Sequence, residues 1–418
     1  MTSKIGQLLW ERRPDESLAQ EFYLDESVFQ EDLRHVFHTN WLFAGHTCEI
    51  PESGDYFTFE VGDESLLILR DKTGEVRAHF NVCRHRGSRL ATEPCGHAKS
   101  LVCPYHQWVY ALDGSLTNAR LMGDSFDKDQ YQLRPAEVRE VAGLIFVCLA
   151  PDESTPDFDH FYGAMEPQLK PHGLENAKVI VKHHYEVRVN WKTLIENNRE
   201  CYHCRVSHPE FCMSNYDLGL PGDTRSDAGY DTLLESEYAR WRDLGLSPRE
   251  ISFPSGYPYR VSRLPLKEGF ITESLDGSRV APLMGEFTDP QVGSLRLITL
   301  PNFWGHANCD YAMTTRLTPV SAGMTRVQVS FLVDEDAVEG EDYDSEQVAY
   351  VWKTTSEQDW ELCENNYAGI KSLAYEPGPF SELTESSVES FLKWYLDRIG
   401  QAESSGTLHE PYPFSASA

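Results

Sequence analysis

Two cysteine–histidine pairs constrain this chain more than any other feature. Cys83-x-His85 sits in CRHRGS, and after seventeen residues Cys103-x-x-His106 follows in CPYHQW. Each pair supplies one soft thiolate and one imidazole. Two Cys and two His can hold a tetrahedral zinc, or a [2Fe–2S] centre with both cysteines on one iron and both histidines on the other. Zinc fingers usually group Cys with Cys and His with His. Here each loop mixes the two, which favours the iron–sulfur centre and leaves structural zinc as the alternative.

A second cluster lies downstream, in NWKTLIENNRECYHCRVSHP, residues 190–209. It reads as a helix that starts near Asn190, a good N-cap, and stops before Pro209. His203 and His208 are five apart, which on an unbroken helix leaves the rings about 140° from each other. They converge on one atom only if the helix bends or ends between them. Glu200 lies three before His203 on the same face. By itself this could be a polar helix terminus with solvated histidines, since helix C-termini attract them.

Taken together, CxHRG…CxxHxW and NWKxxxEN…ExYHxxxxHP resemble the oxygenase (α) component of the Rieske non-haem iron oxygenases, over nearly the full length. The resemblance implies an α+β protein: an all-β Rieske [2Fe–2S] domain and a helix-grip catalytic domain, an antiparallel sheet wrapped around a helix. It implies that Cys83, His85, Cys103 and His106 hold the cluster. His203 and His208 would bind a mononuclear Fe(II), with a distant carboxylate as third ligand, leaving open positions for O2 and substrate. In SEQDWELCENN, Asp359 matches that carboxylate, with Glu357 as the fallback. Glu200 would link an iron-bound histidine to a cluster histidine, His85 or His106, of the neighbouring subunit in a homotrimer. Its competing role is a surface pair with Arg199 or Arg205. Glutamate here resembles the branch that oxidises quaternary ammonium compounds, so the expected reaction is N-methyl hydroxylation. Glycine betaine is the first expected substrate; choline, stachydrine, carnitine or an aromatic ring are the alternatives. A trimethylammonium group binds aromatic faces, and one of Phe303 and Trp304 is expected in such a cage. His306 and Asn302 are candidate donors to a carboxylate. A Rieske electron carrier or a zinc-binding protein would be a different class, and neither needs the His203, His208 and Asp359 set.

No nucleotide-binding fingerprint is evident, so electrons are expected from a separate NAD(P)H-dependent flavin/iron–sulfur reductase. The 37 basic and 66 acidic residues give a net charge of −29, which argues against nucleic acid or an anionic membrane as partner. No apolar run is long enough to span a bilayer, and the N-terminus lacks the pattern of a secretory signal. A cytoplasmic location is expected, with the cysteines outside the cluster as free thiols. The expected division is a helical segment at 1–40 that packs on the catalytic domain, the Rieske domain at 41–156 and the catalytic domain at 157–418. Strands are expected at 56–61, 65–70, 76–82, 141–149, 178–189, 295–300, 309–317 and 326–333. Helices are expected at 345–370 and 385–398. Residues 213–290 read as loops and short helices over the active site.

Overall fold

The computed structural model describes residues 3–150, 155–216, 229–248, 250–253 and 258–405. Residues 151–154, at the expected boundary between the Rieske and catalytic domains, and residues 406–418 lie outside the described residues.

The chain begins with three short helices, α1 (Lys4–Glu11), α2 (Gln20–Leu24) and α3 (Glu26–Asp32). Ten strands follow: β1 (Leu42–His46), β2 (Asp55–Val61), β3 (Glu64–Arg70), β4 (Val76–Phe80), β5 (Cys95–His97), β6 (Leu101–Val102), β7 (Val109–Tyr110), β8 (Leu116–Asn118), β9 (Pro135–Val141) and β10 (Leu144–Cys148). Among the described residues, seven of them form an antiparallel sheet in the order β1-β10-β9-β4-β3-β2-β5, and β6-β7-β8 form a second, smaller one. In β2, Phe57, Phe59 and Val61 point inward while their neighbours are partly exposed, the period of two expected of a half-buried strand. The strand expected over 141–149 is present as β10, but it starts at Leu144, because Val141 ends β9. Ala142 and Gly143 both take positive φ (44° and 86°), making a two-residue turn between β9 and β10.

The second half carries α4 (Asp159–Leu169), β11 (Ala177–Val187), α5 (Trp191–Asn198), α6 (Cys204–Ser207), α7 (Phe211–Ser214) and α8 (Tyr230–Asp243). Then come β12 (Ile251–Ser252), β13 (Tyr259–Leu264), β14 (Ser294–Thr299), β15 (Phe303–Ala307), β16 (Ala312–Ser321), β17 (Met324–Asp334), α9 (Ser345–Ile370) and α10 (Ser386–Ser405). Among the described residues these strands form an antiparallel sheet in the order β11-β17-β16-β15-β14-β13-β12. It packs on α9, whose buried residues Val348, Val351, Trp352, Thr355, Cys363 and Tyr367 recur at helical spacing. The fold is therefore α+β: two seven-stranded antiparallel sheets and a three-stranded one, with the long helix held by the sheet that runs from β11 to β12.

The NWK motif ties α5 to the N-terminal helices. Asn190 caps α5 by accepting the Lys192 N–H, and its amide donates to the carbonyls of Tyr23 and Ala322. Lys192 and Asp32 form a fully buried ion pair. Asp32 also accepts from Trp191 Nε1 (3.1 Å) and Tyr395 Oη (2.7 Å). Removing one partner of a buried pair strands the other, at a cost of about 3–5 kcal/mol. Asp32→Ala should therefore lower the thermal midpoint sharply. A melting curve equal to wild type would show that the pair does not hold α5 in place.

Candidate metal centres and the active-site cavity

The two cysteine–histidine loops close in the same way. Cys83 N–H bonds Ser88 O and Gly87 N–H returns to Cys83 O; Cys103 N–H bonds Trp108 O and Gln107 N–H returns to Cys103 O. Gly87 takes φ 77°, where a residue without Cβ is unstrained, and Gln107 takes the same region at φ 58°. Each loop thus turns its cysteine inward and its histidine outward. Both thiols are buried, while the His85 and His106 rings lie 4.5 Å apart nearer the surface. Trp108 stacks on His85 at 4.8 Å, and Tyr110 Oη lies 3.4 Å from Cys83 Sγ while accepting the Arg84 N–H. Burial raises the Cys83 thiol pKa. At Cys103 burial is outweighed by the N–H groups of Tyr105 and His106, which favour the thiolate. Nδ1 of His85 and Nδ1 of His106 are both buried without a hydrogen-bond partner. Two orphaned imidazole nitrogens beside two thiols fit a cluster that takes two Cys and two His.

The second site depends on where α5 stops. The expected helix to Pro209 ends at Asn198, and only the single turn of α6 follows. The Glu200 carboxylate causes part of this change, because it accepts the Tyr202 N–H and curls the chain into a turn. His203 and His208 then flank α6 at its two ends, with ring centroids 5.1 Å apart. The same turn brings the Cα atoms of Cys201 and Cys204 to 4.9 Å, and the two are disulfide-bonded. The expectation of free thiols fails at this pair, since the turn sets their Cα atoms within disulfide reach.

Asp359, on α9, completes the group. Its Oδ1 is 3.2 Å from His203 Nε2 and 3.0 Å from His208 Nε2. Ligands at right angles, each about 2.1 Å from one ion, would sit about 3 Å apart. His208 Nε2 is buried and, although close to Asp359, is not aligned for a hydrogen bond. That leaves it suited to a metal. Both rings are held from behind. His203 Nδ1 donates to Glu200 Oε1 at 2.5 Å, and His208 Nδ1 donates to Gln358 Oε1 at 2.9 Å. Gln358 is itself fixed by Glu210 at 3.0 Å. These outer bonds set both tautomers and aim both Nε2 atoms toward Asp359. Without a metal, burial opposes the His203 charge, but Asp359 and Glu200 outweigh it and lift the pKa to about 9. A bound cation displaces that proton. Glu357, the fallback, is exposed and pairs with Lys353 at 2.8 Å.

The three residues line a cavity of about 180 Å³. Its lining also includes Phe211, Tyr230, Trp304 and Trp352, with Arg199, Arg260 and Arg296. The structure separates the expected aromatic pair. Trp304 faces the cavity. Phe303, one step along β15 and so on the opposite face, packs on Phe43 (4.5 Å) and Phe146 (5.9 Å). Asn302 lies outside the cavity lining; its amide bonds both backbone groups of Phe43. His306 lines the cavity, but its Nδ1 meets Glu273 at 3.2 Å and burial lowers its pKa. Sequence reasoning misses Glu273. It is fully buried, with Ser294, Asn308 and Trp352 as further donors. No periodic signal marks its loop. Gln358 could have been noticed as the neighbour of Asp359, and Arg199, expected as a surface partner of Glu200, is instead buried.

The class follows from these two sites on this fold. Residues 40–131 match the Rieske [2Fe–2S] domain, and residues 174–401 match the ring hydroxylating alpha subunit (catalytic domain). The chain belongs to the Rieske non-haem iron oxygenases, as the oxygenase subunit. It is 41% identical over 385 residues to the glycine betaine monooxygenase oxygenase subunit of Pseudomonas aeruginosa (strain UCBPP-PA14), covering 92% of this chain and 89% of that one. The subunit of the same name from Chromohalobacter salexigens is 41% identical over 394 residues, covering 94% and 88%. In structure the chain resembles a quaternary ammonium Rieske monooxygenase solved with L-carnitine, with TM-score 0.70, 21% identity, and 95% and 99% of the two chains covered. The enzyme is a Rieske-type monooxygenase with a [2Fe–2S] cluster, a mononuclear non-haem iron and O2 as cosubstrate. It is the oxygenase component of a system that also needs a reductase. Among the described residues no helix is long and apolar enough to cross a membrane.

Proposed function

We propose that this oxygenase hydroxylates an N-methyl group of a small quaternary ammonium compound, with glycine betaine as substrate, giving dimethylglycine and formaldehyde. The observation that carries the reading is one cavity lined both by His203, His208 and Asp359 and by the aromatic residues Phe211, Tyr230, Trp304 and Trp352. The identity to two glycine betaine monooxygenase oxygenase subunits supports the choice of substrate.

In this reading Cys83, His85, Cys103 and His106 hold the cluster, and His203, His208 and Asp359 hold the iron. When bound, these groups supply electron delivery and O2 activation. The protein's part is orientation. Glu200 and Gln358 keep the two imidazoles neutral at Nε2, and Asp359 supplies the anionic ligand. Trp304 and the neighbouring rings attract the trimethylammonium group and keep water from it. Hydroxylation of a methyl carbon gives a carbinolamine, which releases formaldehyde; the other oxygen atom leaves as water.

Glu200 is proposed to join His203 to His85 or His106 of a neighbouring subunit in a head-to-tail homotrimer. An NAD(P)H-dependent flavin/iron–sulfur reductase would feed the cluster. The short Glu200–His203 bond supports this, as does the outward position of the adjacent Tyr202, which is 60% exposed.

The test is formaldehyde release by the iron-loaded protein with a compatible reductase, from glycine betaine, choline, carnitine, stachydrine and a simple arene. Formaldehyde from glycine betaine is expected. A diol from the arene, with no formaldehyde from any amine, would overturn the substrate.

A further inference from the structure

Three arginines line the cavity, and among the described residues their charges are met unequally. Arg260 has its own carboxylate, Glu250, at 3.1 Å. Arg296 lies in the field of Glu273, which is already committed to four donors. Its Nη2 donates to Asn215 at 2.6 Å, but its Nε is buried without a partner. Arg199 is the extreme case. It is 5% exposed, its Nε and Nη1 have no hydrogen-bond partner, and it forms no ion pair among the described residues. The Phe253 ring lies beside it, with the guanidinium carbon 5.6 Å from the ring centroid. Burial works against the charge on both side chains, and Arg260 adds repulsion to each.

A guanidinium does not escape this cost by losing a proton. An unpaired buried charge is strongly unfavourable unless an anion meets it. Glu200 and Asp359 also line the cavity but are held by His203 and His208, so among the described residues no carboxylate is left to meet Arg199. The requirement is local, since the chain as a whole carries −29. Arginine presents donors in a fork that matches a carboxylate. The aromatic faces of the same cavity suit a cation. The ligand that answers both is a small zwitterion.

We propose that Arg199 and Arg296 bind the carboxylate of the substrate, so that the cavity selects betaines over methylated amines that carry no anion. The proposal rests on the quaternary ammonium reading above and assigns its specificity to two residues. It also distinguishes glycine betaine from choline, which shares the trimethylammonium group alone.

The experiment compares glycine betaine with its methyl ester, which keeps the ammonium and masks the carboxylate. Steady-state formaldehyde release by the holoenzyme gives KM and kcat. Calorimetry gives binding of glycine betaine and of acetate. A charge-assisted hydrogen bond corresponds to roughly 10- to 150-fold in affinity. Wild type should favour glycine betaine over the ester by about that factor. Arg199→Gln and Arg296→Gln should raise KM for glycine betaine by a similar factor, change kcat little, and shift the ester by less than about threefold. Arg296→Lys, which keeps the charge, should recover part of the loss. Equal losses on both substrates would overturn the proposal. If the variants fail to fold, judged by lost cluster absorption, the wild-type ratio decides: a ratio near one overturns it. If wild type demethylates no amine, the proposed function fails separately. Carboxylate binding that Arg199→Gln abolishes would still support the subsite, and no binding of either carboxylate would sink it.

Discussion

Replacing Asp359 by alanine should strip the mononuclear iron from the protein while leaving the Rieske cluster in place. Asp359 is the only carboxylate among the described residues that touches both His203 and His208, at 3.2 and 3.0 Å. Losing merely an outer partner of a metal ligand costs roughly 10–100-fold in affinity or activity. Losing the ligand itself should cost more, so formaldehyde release should fall by more than about 100-fold. Iron content should drop to roughly the two atoms of the cluster, whose visible absorption should not change. The control is Glu357→Ala on the same helix. Its carboxylate is exposed and pairs with Lys353, a contact worth about 1 kcal/mol or less, so iron and activity should be retained. Retention of iron by Asp359→Ala, or its loss from Glu357→Ala, would move the third ligand elsewhere.

What could be read from the sequence was chemistry that depends on residue type at fixed spacing. The two cysteine–histidine pairs suggested their own donor set, and helical geometry alone showed that an unbroken helix would hold His203 and His208 apart, although the helix ends at Asn198, ahead of both, rather than between them. The Asn190 cap and the long helix at 345–370 were legible for similar local reasons. Elements without a periodic signal were not. Phe303–Ala307 is buried along its whole length, so β15 shows no alternation to mark it as a strand. The β9–β10 turn uses Ala142-Gly143, and only the glycine is a usual turn signal. The site divides in the same way. The proposed metal ligands stand out as a set, but Glu273, Gln358 and Arg296 act through partners far away in sequence. Glu273 meets His306 and Trp352. No local window contains such a network. The Phe303 and Trp304 pair shows the limit clearly, because adjacent residues on a strand face opposite ways and choosing between them needs the register.

Glu200→Gln should leave both metal centres loaded and still slow the enzyme greatly, because it changes charge more than shape. The glutamine oxygen can accept the His203 Nδ1–H that Glu200 accepts now at 2.5 Å. The ring should keep its tautomer and Nε2 should keep facing Asp359. What disappears is the negative charge behind the imidazole, and with it the proposed carboxylate bridge between two metal-bound histidines. The expected loss is roughly 10–100-fold, read as the rate at which the reduced cluster is reoxidised in a single turnover with substrate and O2. Iron content and melting temperature distinguish this from damage to the site, and both should stay near wild type. Reoxidation at the wild-type rate would show that electrons reach the iron by another route. A slow rate accompanied by lost iron would assign Glu200 to holding His203 alone. A slow rate with iron retained is the one result that a purely structural role does not produce.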